Sequence, residues 1–78
     1  MGDRTMFGKK LFIMRVQKKL TQKSLAAIAG VSNTTISYLE QGRSQIVTMK
    51  TLVKLAQAFD IDLDKLTNMA RDCAMDIR

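Results

Sequence analysis

The stretch from Leu20 to Gly42, LTQKSLAAIAGVSNTTISYLEQG, limits the possible folds of this chain more than any other. Its pattern predicts two short helices joined by a tight turn. Thr21 and Ser32 each precede a helical run, where a hydroxyl satisfies a backbone N–H group that a helix start leaves unpaired. Gly30 ends the first run, because glycine adopts a positive φ angle without steric cost. We therefore predict a two-helix unit over residues 21–41.

The second helix of this unit has two different faces. Ile36, Leu39 and Glu40 lie on one side at spacings of three and four residues. The other side carries uncharged hydrogen-bonding groups from Asn33, Thr34, Ser37, Tyr38 and Gln41. An ordinary solvated helix face more often carries lysine and glutamate pairs, so this face indicates a surface that reads another molecule. Base edges in a DNA groove are the leading candidate, because they offer a matching pattern of donors and acceptors.

The charge of the chain is distributed unevenly. The net charge is +6, but residues 1–54 hold ten basic and two acidic residues, whereas residues 55–78 hold three basic and five acidic ones. The basic part contains the two-helix unit. This asymmetry favours a polyanionic partner, since cationic side chains that neutralise phosphates release counterions from the nucleic acid.

Composition excludes several classes of function. The chain of 78 residues has room for one domain with a small core. It contains one cysteine, Cys73, and no histidine, so we expect neither a disulfide, a metal site nor a cofactor, and no imidazole base for an enzyme. No apolar run approaches the roughly 20 residues that cross a bilayer, and no secretory signal is evident. We expect a cytoplasmic protein that does not enter the membrane.

Several short motifs, all in register, resemble the phage repressor and Cro type of helix-turn-helix DNA-binding protein, also called the XRE type. The similarity runs from Gly8 to Leu66. Its motifs are Leu11, Met14 and Arg15; Leu20-Thr21-Gln22; Leu25-Ala26; Gly30-Val31-Ser32; Thr35-Ile36-Ser37; and Leu39-Glu40 followed by Gly42. The resemblance implies an all-α, five-helix, lambda-repressor-like DNA-binding domain over residues 1–78, whose second motif helix enters the major groove.

With the second motif helix in the major groove, two sets of residues are expected to contact double-stranded DNA. The base-reading residues would be Asn33, Thr34, Ser37 and Tyr38, with Asn33 pairing with adenine because a carboxamide both donates and accepts. The phosphate-contacting residues would be Gln22, Lys23, Thr35, Gln41, Arg43, Ser44 and Lys50, of which Gln22 occupies a position where the family commonly contacts the backbone. The resemblance also implies a partly buried ion pair between Arg15 and Glu40 that joins the first helix to the reading helix.

The rest of the chain predicts core helices and an extra apolar surface. Thr48 can cap a fourth helix with core residues Met49, Leu52, Leu55, Ala56 and Phe59. The pattern after Asp62 predicts a long C-terminal helix over about residues 63–77, with an apolar stripe formed by Leu63, Leu66, Met69, Ala70, Cys73, Ala74 and Ile77. This helix either folds back over Phe12, Ile13 and Val16, which face away from the core stripe of the first helix, or packs against a second copy. We expect the dimer, with Leu66, Met69, Cys73 and Ile77 at its interface.

These observations predict a sequence-specific transcriptional regulator, specifically a homodimeric repressor or autoregulator that reads an inverted-repeat operator. The alternative is an antitoxin-like module that binds a second protein through the extra apolar surfaces, with DNA binding secondary.

Overall fold

Five helices make up most of the chain, as the sequence predicts. The computed structural model describes residues 4–44 and 46–78. Its elements in chain order are α1 (Arg4–Gln17), α2 (Gln22–Ala29), α3 (Asn33–Glu40), β1 (Ile46–Val47), α4 (Met49–Phe59), α5 (Leu63–Asp72) and β2 (Asp76–Ile77). The all-α, five-helix expectation is confirmed, with the addition of one short pair of strands.

The starts of three helices follow from local sequence. Thr21, Ser32 and Thr48 occupy the N-cap positions of α2, α3 and α4, and each hydroxyl accepts a hydrogen bond from the backbone N–H group three residues later, at 3.0, 3.1 and 3.1 Å. Gly30 ends α2 with a φ angle of 75°. Asp62 takes the N-cap position of α5, but its side chain makes no capping hydrogen bond.

The core lies where the helices converge. Its largest fully buried side chains are Phe7, Leu11, Leu25, Ile36, Leu52, Leu55, Phe59 and Leu66. Helical spacing in the first motif helix places Ile28 on the same face as Leu25 and Ala29, and Met49 is predicted as a core residue of the fourth helix. Both Ile28 and Met49 are exposed instead. In α2 the buried stripe is made by Leu25 and two alanines, which leaves Ile28 beside it, and Met49 is the first residue of α4, at the edge of the core.

An apolar surface on α1 faces solvent. Phe12, Ile13 and Val16 are 50%, 51% and 49% exposed. The alternative in which the C-terminal helix folds back over these side chains is therefore wrong, and they remain available to another molecule.

The predicted C-terminal helix is wrong beyond residue 72. Helix α5 ends at Asp72, Ala74 adopts a φ angle of 60°, and the chain turns back so that β2 pairs in parallel with β1. The register aligns Val47 with Ile77, and the Arg78 backbone N–H group donates to the Val47 carbonyl at 3.0 Å. The apolar pattern continues because this segment is buried against the same core, although no longer as a helix.

Two of the four residues predicted at a dimer interface lie inside the chain's own core. Leu66 is 0% exposed and Cys73 is 3% exposed, so neither is accessible to a second copy. Met69 and Ile77 are half-buried and pack against the core. The prediction is wrong for Leu66 and Cys73, because the apolar stripe that contains them faces the chain's own core rather than a partner.

Candidate nucleic-acid interface

Helix α3 presents its polar face to solvent. Ile36 and Leu39 are buried under the helix, whereas Asn33, Thr34 and Tyr38 on the opposite side are exposed. Ser37 is half-buried, and its hydroxyl accepts a hydrogen bond from the Gln41 amide at 2.8 Å. The four residues predicted to read bases therefore share the outward side of one helix, with only Ser37 partly covered.

The turn between α2 and α3 is fixed by hydrogen bonds from two directions. The backbone N–H groups of Gly30 and Val31 donate to the Ala26 carbonyl at 2.9 and 3.0 Å, which closes the end of α2. From α4, the Lys54 ammonium group donates to the Gly30 carbonyl at 3.2 Å. This last contact could not be predicted from the sequence, since a lysine in an amphipathic helix normally indicates only a solvated charge.

A buried polar cluster fixes the C-terminal end of α3. The Arg15 guanidinium donates to both Glu40 carboxylate oxygens, from Nε at 2.7 Å and from Nη2 at 3.1 Å, and its Nη1 donates to the Leu20 carbonyl at 2.8 Å. The Gln22 amide donates to Glu40 Oε1 at 3.1 Å. The two charged side chains are only 12% and 4% exposed. Because these four residues belong to three helices and a connecting loop, the cluster sets the angle of α3 relative to α1 and α2.

Gly8 allows α1 to pass directly over the end of α3. A Cβ atom at this position would lie 2.5 Å from the Leu39 carbonyl oxygen, and closer still to that of Glu40. Both atoms belong to the backbone and cannot rotate away. A glycine inside a helical pattern often marks such a close approach, but the sequence does not say which segment approaches.

The residues predicted to contact phosphates fall into two groups. Lys23, Gln41, Arg43 and Lys50 are exposed. Three others are half-buried and already bonded: Gln22 to Glu40, the Thr35 hydroxyl with that of Ser32 at 2.8 Å, and the Ser44 hydroxyl to the Ile46 carbonyl at 2.7 Å.

Two of the residues predicted to contact phosphates line a groove together with Tyr38, one of the predicted base-reading residues. Thr35 and Ser44 line a groove of about 260 Å³ between α3 and the start of α4, together with Tyr38 and Thr48. The Arg43 guanidinium carbon lies 5.8 Å from the centroid of the Tyr38 ring, within the range of a cation–π contact. Arg43 therefore lies at the boundary between the predicted base-reading and phosphate-contacting residues.

Within the described residues, no cluster of three or more His, Cys, Asp or Glu side chains is arranged to hold a metal ion. None of the helices described is both long and apolar enough to cross a membrane.

The fold and this interface define a helix-turn-helix DNA-binding domain. The family model described as helix-turn-helix matches residues 11–66, so the chain belongs to the helix-turn-helix family, of the Cro/C1 or XRE type. This is a family of DNA-binding transcriptional regulators rather than enzymes, and the class predicted from the sequence is confirmed.

Two curated relatives come from Bacillus subtilis strain 168. The HTH-type transcriptional repressor RghR is 38% identical over 60 residues, which cover 77% of this chain and 44% of that protein. The uncharacterized HTH-type transcriptional regulator RghRB is 35% identical over 60 residues, which cover 77% of this chain and 43% of that protein. The chain thus spans less than half the length of these relatives.

A solved structure matches over nearly its whole length. The restriction-modification controller protein C.AhdI from Aeromonas hydrophila superposes with a TM-score of 0.74 and 32% sequence identity, covering 81% of this chain and 94% of that one. The likeness therefore extends well beyond the two-helix motif.

Proposed function

We propose that this chain is a sequence-specific transcriptional repressor or autoregulator that reads an inverted-repeat operator as a homodimer. The observation that carries the proposal is the exposed, uncharged face of α3, fixed to the rest of the domain by the Arg15–Glu40 cluster. A rigid helix with this surface fits the major groove, where all four base pairs can be distinguished. The proposed site of action is the cytoplasm, where such an operator would lie.

Base reading is assigned to the exposed side of α3. Asn33, the first residue of the helix, can pair with the N6 and N7 edge of adenine, and the Thr34 methyl group suits the thymine methyl group. Ser37 and Tyr38 follow one turn later and extend the reading surface along the helix. We propose these four side chains as the source of sequence preference.

Phosphate contacts are assigned to the predicted residues around this face. Lys23, Arg43 and Lys50 are exposed and can approach the DNA backbone. Gln41 is exposed as well, and its amide, which donates one hydrogen bond to Ser37, has a second N–H donor for a phosphate. Gln22 remains in the proposal because a carboxamide has two N–H donors, and the bond to Glu40 uses one of them. Thr35 and Ser44 border the same groove, and their hydroxyls would exchange a present partner for a phosphate oxygen.

Two substitutions separate the two roles. Asn33→Ala should relax preference at one base position and weaken binding to the preferred site by about 1–3 kcal/mol. Arg43→Ala should weaken binding to all duplexes alike and reduce the slope of log affinity against log salt concentration by about one. Sites selected from a random DNA library supply the duplexes, and affinities are measured at several salt concentrations. Equal losses on selected and random duplexes for both variants would contradict the assignment.

The proposed dimer uses the exposed face of α1. Half of the interface first predicted is core, whereas Phe12, Ile13 and Val16 form an exposed apolar cluster of the kind that marks association surfaces. We expect the parent to sediment as a dimer and Phe12→Ser to sediment as a monomer. Met69→Ser is the matched control, because Met69 belongs to the predicted α5 interface. Dissociation by Met69→Ser alone would place the interface on α5, and a monomeric parent would remove the dimer from the proposal.

A second candidate function rests on the same three side chains. In an antitoxin-like arrangement the α1 face binds a different protein, and DNA binding is secondary. Purification of the protein from its native host distinguishes the two functions. A complex with a stoichiometric second protein, which Phe12→Ser abolishes, favours the antitoxin-like function. A homodimer of this chain favours the repressor or autoregulator.

A further inference from the structure

A groove separate from the reading face lies between α1 and α5. It has a volume of about 430 Å³. Its lining combines four apolar residues, Met14, Phe59, Ile61 and Met69, with the polar Gln17 and the two lysines Lys18 and Lys65. Nothing in the proposed DNA contacts uses these residues.

The two lysines carry charge that the described part of the chain leaves unmatched. Within residues 4–44 and 46–78, the ion pairs are Arg15 with Glu40 and Arg78 with Asp76, and neither the Lys18 nor the Lys65 side chain makes a hydrogen bond. Asp60, Asp62 and Asp64 are near Ile61 and Lys65 in sequence, but none of them lines the groove. The groove therefore combines two lysines that have no ion-pair partner with half-buried apolar side chains.

We propose that this groove binds an amphipathic carboxylate, a small molecule with an apolar body and one anionic head. The body would lie against the half-buried side chains of Met14, Ile61 and Met69, and the head would bind between the two lysine ammonium groups. The volume falls within the range of small-molecule sites, which are mostly apolar with a few polar groups that fix orientation. Methionine side chains adapt to irregular ligands.

A protein segment fits this groove less well. Stable protein interfaces bury on the order of 1,000 Å² or more, which is far more than a site lined by seven residues offers. A nucleic-acid backbone also fits poorly, since it offers no apolar body to contact Met14, Ile61 and Met69. Charge complementarity and size together favour the small anion.

Calorimetric titration with decanoate tests the proposal. Decanol has the same tail without the charge, and acetate has the same head without the tail. We expect saturable one-to-one binding of decanoate, binding of decanol that is about tenfold weaker, and no measurable binding of acetate. The double variant Lys18→Gln with Lys65→Gln should weaken decanoate binding about tenfold and leave decanol binding unchanged.

The control variant is Lys9→Gln with Lys10→Gln, which removes the same charge from α1 outside the groove. It should bind decanoate like the parent. Equal weakening in both double variants would show general electrostatic attraction and overturn the site, as would equal affinities for decanoate and decanol or binding without saturation. Both variants change surface lysines, and thermal melting followed by circular dichroism checks that each remains folded.

Discussion

Glu40→Ala should lower the free energy of unfolding by about 3–5 kcal/mol, the typical cost of removing one partner from a buried ion pair. The Arg15 guanidinium, 12% exposed in the parent, would keep its charge and lose both bonds to the carboxylate. Gln22 would lose the acceptor of its amide as well. Urea unfolding followed by circular dichroism measures the change.

The second ion pair in the described chain provides the control. Arg78 Nη2 lies 3.0 Å from Asp76 Oδ2, and the two side chains are 66% and 52% exposed. Exposed ion pairs contribute about 0–1 kcal/mol to the free energy of unfolding. Asp76→Ala should therefore be close to neutral. The double variant Arg15→Met with Glu40→Leu should recover most of the stability lost in Glu40→Ala, because well-packed apolar residues often replace a buried pair without net cost. A Glu40→Ala cost no larger than that of Asp76→Ala would contradict the structural role of the pair.

Helix starts and the turn could be predicted from sequence because their causes are local. Thr21, Ser32 and Thr48 each bond a backbone group three residues away, and Gly30 needs only its own φ angle. None of these depends on distant parts of the chain.

The C-terminal segment could not be predicted because its structure depends on distant residues. β2 exists through pairing with β1, about thirty residues earlier, and a two-residue strand leaves no alternating pattern to detect. Cys73 is buried in the same core that the helix residue Leu66 enters, so the hydrophobic pattern alone does not reveal where the helix ends.

From helical spacing, the candidate site, like the fold, could be predicted only where it depends on one helix. The outward residues of α3 follow from helical spacing around Ile36 and Leu39, and the Arg15–Glu40 contact followed from the resemblance. Helical spacing could not show that the Gln22 amide also bonds Glu40, nor that Lys54 reaches the Gly30 carbonyl, since both contacts depend on how separate helices pack.

Gly8→Ala should lower both stability and DNA affinity. Alanine is better than glycine inside a helix by about 1 kcal/mol, so propensity alone predicts stabilisation. Overpacking typically costs about 1–3 kcal/mol, and the upper end applies here because the new methyl group would meet two backbone carbonyls rather than movable side chains. The steric cost exceeds the propensity gain, and we expect a net loss of about 2 kcal/mol. Relief of the clash requires α1 and the C-terminal end of α3 to separate. This separation changes the angle at which Asn33 and Tyr38 face the major groove of DNA.

Gly30→Ala separates this steric effect from a conformational one. No atom lies within 4 Å of a Cβ added at Gly30, but its φ angle of 75° disfavours alanine by about 1–2 kcal/mol. Urea unfolding gives the stability of both variants, and DNA affinity is measured where both remain folded. The two variants should lose similar amounts of stability. Only Gly8→Ala should reduce the DNA affinity of the folded protein, because it displaces the C-terminal end of α3. A Gly8→Ala protein more stable than the parent would mean that α1 does not approach α3 as closely as this geometry requires.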